Sequence, residues 1–114
     1  MVLRHLKAHG KFVIYDAEHA FDGYKDNPEY ALATWKAAEA AGADCITLCD
    51  TTGMAYPNQV AALCEAFQRA LPQTGLTIHL HNTRGMGLAN AIAAWQTGVT
   101  RFDAAAGGLG GCPY

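Results

Sequence analysis

No stretch of this sequence strings together the lysines and arginines that would neutralise successive phosphates. Its eight basic residues are outnumbered by ten acidic ones, for a net charge of -2, so neither nucleic acid nor an anionic membrane is an expected partner. Long hydrophobic runs are missing too. Lys, Asp, Glu or His interrupts every apolar stretch short of the roughly 18 to 20 residues that span a bilayer, and a soluble chain is expected. The first residues, MVLRHLKAHGK, lack the apolar segment and small-residue cleavage site of a secretory signal, which makes the cytoplasm the expected location. The four cysteines, Cys45, Cys49, Cys64 and Cys112, show no CxxC spacing and are too few for a disulfide scaffold. No dinucleotide fingerprint occurs: Gly85 and Gly87 are followed by Asn90, and the glycines from Gly107 to Gly111 follow a strand without opening a helix. Charged residues are scarce, at 16% against 51% hydrophobic, which excludes a disordered chain.

What is present is an alternation of short strand-like and longer helical runs, punctuated by Gly and Pro. Residues 2–9 read as the end of a helix stopped by Gly10, and KFVIY (11–15) as a strand running into Asp16. A polar loop, DAEHAFDGYKD, leads to Asn27, which caps a helix beginning at Pro28 and closed by Gly42. DCITLC (44–49) is a second strand, ending at Asp50, and a helix follows from Pro57 to about Leu71. LTIHLH (76–81) is a third strand, residues 86–96 a further helix, and residues 99–103 a fourth strand. Strand ends therefore fall at Asp16, Asp50, His81 and Asp103, spaced as successive βα units of a parallel sheet. In such sheets ligands collect at the C-terminal ends of the strands. Four strands are half of an eight-stranded barrel. The expected fold is α/β, with parallel βα repeats forming the incomplete C-terminal half of a TIM barrel and residues 1–114 making one partial domain.

The most specific chemical signal is the pair His79 and His81. Two residues apart on a strand, they point to one face and can grip one ion. Oxygen donors completing the shell would suit magnesium or manganese, and the imidazoles alone leave zinc open. Asp50, before the Thr-Thr-Gly turn, either faces the pocket or caps the turn, and Asp103 carries the same ambiguity. Asp16, Glu18 and His19 form a weaker cluster. Cys112 stands in a glycine-rich loop where a thiol can be accessible and acid-base active. Cys45, Cys49 and Cys64 read as small core hydrophobes and are assigned no chemistry.

The segments HLHNTRGMGLAN and RFDAAAGGLGGCPY closely resemble hydroxymethylglutaryl-CoA lyase, over about Ile46 to Tyr114. The earlier stretch, from KFVIYDAEH to ITLCDT, is more similar to citramalate synthase of the same metal-dependent barrel superfamily. The resemblance implies that His79 and His81 bind a divalent metal, magnesium or manganese, and that Cys112 is the catalytic loop cysteine. It also implies that Asp50 is an active-site aspartate and that the substrate is an acyl-CoA. The implied reaction is cleavage of hydroxymethylglutaryl-CoA to acetoacetate and acetyl-CoA, with condensation of acetyl-CoA with a 2-keto acid as the alternative. Asn82 stands where the lyases have Asp, and Cys49 where they have Gly. The superfamily's Asp-Arg-Glu motif and its asparagine ligand beyond Tyr114 are not in this sequence. The isolated chain is therefore expected to be inactive or nearly so. A noncatalytic half-barrel that pairs with itself or with a complementary half is the other class of reading, and a truncated reading frame a third.

Overall fold

A computed structural model of the chain describes residues 2–109. Helix α1 (Val2–Ala8) leads into strand β1 (Ile14–Ala17), followed by α2 (Ala20–Asp26) and α3 (Pro28–Ala40). Strand β2 (Cys45–Asp50), α4 (Pro57–Ala70), β3 (Gly75–Leu80), α5 (Gly87–Gln96) and the two-residue β4 (Arg101–Phe102) complete the regular part, with a 3-10 turn at Ala106–Gly108. The four strands form one sheet in the order β1-β2-β3-β4, and every pairing is parallel.

The local chemistry behind these elements is direct. Asn27 accepts a hydrogen bond from the Tyr30 N–H at 3.0 Å and Pro28 opens α3, so one orphan amide is satisfied and proline sits where its missing N–H costs nothing. Gly42 follows that helix at φ +97°, a left-handed turn that a side chain would strain. Helix α4 also begins with a proline, and Gln59 reaches back to the Tyr56 N–H at 2.9 Å.

Successive side chains of a strand alternate between faces, and the two faces of this sheet differ sharply. Ala17, Ile46, Leu48 and Ile78 enter a core with Trp35 of α3, Val60, Leu63, Cys64 and Phe67 of α4 and Ala94 of α5. Trp35 is its centre, stacked on Tyr24 at 6.0 Å and tilted against Phe67 at 5.8 Å. The opposite face presents Ile14, Asp16, Thr47, Thr77 and Asp103 around a concavity of about 510 Å³. Ile14, on the β1 edge, is 50% exposed there, and Leu88, Ile92 and Trp95 leave an exposed apolar stripe along α5.

Two sequence expectations are corrected. The stretch read as a polar loop contains α2, whose Ala20 and Phe21 are buried against the core. Strand β4 pairs only through Arg101 and Phe102 instead of across residues 99–103. Among the described residues, no helix is long and apolar enough to cross a membrane.

Candidate functional site

The C-terminal ends of the strands converge on one polar wall. His79 stands on the concave face of β3 and His81 just beyond its end, their rings stacked with centroids 5.0 Å apart. Parity places both on one side because Leu76, Ile78 and Leu80 take the helix-covered face. The Nδ1 of His79 is 3.0 Å from Oδ2 of Asp103, just past β4, whose N–H in turn donates to Ile78 O at 3.0 Å. Asp103 is thereby held at the sheet edge with its carboxylate on the histidine, which decides its ambiguity in favour of the concave face.

Asp50 lies elsewhere. It shares parity with Ile46 and Leu48, is 1% exposed, and accepts hydrogen bonds from the N–H groups of Met54 and Ala55, each at 3.2 Å. Burial raises its carboxyl pKa, and those backbone donors oppose the rise. Of the two readings of Asp50, the geometry matches the turn-capping one: its carboxylate ties down the β2–α4 turn. The residue on β2 that faces the histidines is Cys49, paired in register with His79. Its sulfur and one ring nitrogen of each histidine all lie within 4.8 Å of one another. Burial pushes the Cys49 thiol up to about 11. Strand parity alone could have revealed it, since Cys45, Thr47 and Cys49 alternate with the apolar Ile46 and Leu48.

On the β1 side, Glu18 accepts a hydrogen bond from the Thr51 hydroxyl at 2.6 Å, which holds its carboxyl below the usual range. The same Thr51 oxygen receives the N–H of His19 at 2.8 Å, anchoring that residue at φ +54°, a conformation rare outside glycine. Asp16 is shifted the other way: partial burial first, then repulsion from Glu18 and Asp103, hold it above the ordinary carboxylate value, against the pull of His79. The wall thus carries two imidazoles, a thiol and three carboxyls within the ends of four strands. Two neighbouring imidazoles are a donor set that fits a divalent ion. Cys112 lies outside the described residues.

A second cavity, about 540 Å³, opens at the same end between α2 and α4, lined in part by Phe21, Lys25, Tyr56, Leu63 and Arg84. Arg84 donates to the Tyr56 hydroxyl at 2.8 Å.

A parallel βα sheet with imidazole, thiol and carboxyl groups at its strand ends has the architecture of a section of a TIM barrel. The chain belongs to the HMGL-like family, whose profile matches residues 3–112. It is 55% identical to an (R)-citramalyl-CoA lyase of Chloroflexus aurantiacus, over 82% of this chain and 29% of that protein. It is 40% identical to an (R)-citramalate synthase of Synechocystis, over 95% of this chain and 21% of that one. The solved HMG-CoA lyase of Bacillus subtilis superposes with a TM-score of 0.68 at 42% identity, covering 75% of this chain and 28% of that structure. The chain therefore spans less than a third of the length of these relatives. The family includes both carbon-carbon lyases and synthases.

Proposed function

We propose that the chain supplies the metal-holding wall of a carbon-carbon lyase acting on a 3-hydroxyacyl-CoA that ends in a carboxylate, with hydroxymethylglutaryl-CoA as the substrate. The observation that carries this is the stacked pair of His79, on β3, and His81, at its end, with Asp103 against His79. A bound divalent ion would polarise the substrate's oxygens and acidify its hydroxyl. His79 and His81 would hold that ion. Asp103 fixes the His79 ring, and a proton leaving the site can pass along that pair. Asp16 is a carboxylate base on the wall whose proton affinity burial and the neighbouring Glu18 raise. In the cleavage the hydroxyl proton is taken up by this wall and the bond between the carbinol carbon and the thioester's α-carbon breaks. The bonding pair becomes the thioester enolate, and acetoacetate departs. Cys112 returns a proton to the enolate carbon, giving acetyl-CoA. Asp50 acts at one remove, by fixing the turn after β2. Lys25 and Arg84 on the second cavity offer cationic contacts to the phosphates of a CoA chain.

The 55% identity to a citramalyl-CoA lyase favours a second substrate reading. Citramalyl-CoA has the same tertiary hydroxyl β to the thioester and lacks one methylene before its terminal carboxylate, so the same bond breaks and pyruvate leaves instead. The synthase alternative runs this chemistry in the condensing direction. The test is a segment exchange: the matching segment of a complete lyase of the family is replaced by this sequence, and the folded chimera is given hydroxymethylglutaryl-CoA, citramalyl-CoA, or acetyl-CoA with pyruvate. His79-dependent release of acetoacetate supports the first reading and release of pyruvate the second. A folded chimera that only condenses, or does neither, refutes the lyase assignment.

A further inference from the structure

The thiol of Cys49 sits at the level of His79, on the neighbouring strand and on the same face. It is 1% exposed, yet its sulfur lies within 4.8 Å of ring nitrogens of both His79 and His81. The two other described cysteines do not share this position. Cys45 is two same-face positions deeper, beyond Thr47, its sulfur 3.1 Å from the Thr77 hydroxyl, and Cys64 is buried in α4 within the helix-side core. We propose that Cys49 is a third protein donor to the ion held by His79 and His81, and that in this chain the site prefers a thiophilic divalent ion, zinc or cobalt(II), over magnesium.

The inference rests on the metal role proposed for the two histidines, and adds to it a ligand and a selectivity. Two imidazoles and a thiolate are a borderline-soft set, matched to zinc and cobalt, whereas magnesium demands oxygen. Three protein donors leave a fourth tetrahedral position open, the arrangement in which a metal can still accept a substrate oxygen. The thiol gives up its proton to solvent on ligation. A rival set, Asp16, Glu18 and Cys49, also falls within 4.8 Å. Glu18 already accepts the Thr51 hydroxyl, and two imidazoles suit the sulfur's soft partners better than two carboxylates do, so the histidine pair has the better claim on the sulfur. Three donors from two adjacent strands would also let this chain hold an ion without residues from elsewhere in a barrel.

The test is a cobalt(II) titration of the chain followed by absorption spectroscopy, with Cys49→Ser, Cys49→Ala and His79→Ala variants checked for fold by circular dichroism. The expected result is one cobalt with a thiolate-to-metal charge-transfer band that vanishes in both Cys49 variants, with affinity falling at least about tenfold. Magnesium in large excess should not displace the ion. Binding that depends on His79 but shows no thiolate band, or a band that survives Cys49 replacement, overturns the role of Cys49 while leaving the histidine site standing. Absence of any His79-dependent binding overturns both.

Discussion

Nδ1 of His79 and Oδ2 of Asp103 lie 3.0 Å apart, joining the end of β3 to the residue that follows β4. A carboxylate placed there accepts the Nδ1 proton, fixes the imidazole plane and leaves Nε2 as the nitrogen free to bind an ion. Asp103→Ala should therefore weaken divalent-ion affinity by about 10- to 100-fold, measured by isothermal titration calorimetry. Asp103→Asn, whose amide oxygen can still accept that proton, should restore part of the loss. Equal affinity in all three proteins would show that the pair orients nothing.

Asp50 makes a prediction about stability instead of ion binding. Its buried carboxylate satisfies the N–H groups of Met54 and Ala55. Asp50→Ala should orphan both and cost about 1–3 kcal/mol for each donor left without a partner, read from urea denaturation midpoints. Ion affinity of the folded variant should change little, because the side chain points to the helix layer. A variant as stable as the parent would contradict the turn-holding role.

Helix α1 depends on acid-labile contacts, since it has no buried residue. Lys7 donates to both Asp44 oxygens at 2.8 Å, and Asp44 also accepts the Val13 N–H at 2.7 Å. The Lys7 hydrogen bond, followed by that of Val13, holds the Asp44 pKa below its ordinary value of 3.8. A carboxyl depressed in this way contributes fully above its unfolded value and loses the contribution as pH falls below it. Amide protection factors in α1, corrected for the intrinsic exchange rate, should thus fall as pH drops below 3.8, and Asp44→Asn should show low protection already at neutral pH. An α1 whose protection is unchanged by acid or by the substitution would refute the tether.

Much of this architecture could be read from residue order. Asn27-Pro28 and Gly42 bracket α3, and apolar alternation in LTIHLH placed His79 and His81 together, because both signals are local. Helix α2 escaped because it is seven residues long, contains Gly23 and starts at His19 without a side-chain cap, so composition argued for a loop while burial of Phe21 supplied the stabilisation. Strand β4 was overestimated because β-propensity does not report how much of an edge segment finds a partner. A strand-end aspartate before a Thr-Thr-Gly turn leaves Asp50 open between the ligand face and the turn, and the period of two assigns it to the side of Ile46 and Leu48 and hands the facing position to Cys49. Which residues of different strands meet, as His79 meets Asp103 across 24 positions, depends on sheet register, and a single sequence does not encode register locally.

The most direct test is a manganese titration of the chain followed by line broadening of the imidazole protons of its five histidines. The account predicts that His79 and His81 broaden first and together, at substoichiometric ion, before His5, His9 and His19. Uniform broadening of all five, or earlier loss of the His5 and His9 signals, would contradict a metal site on β3.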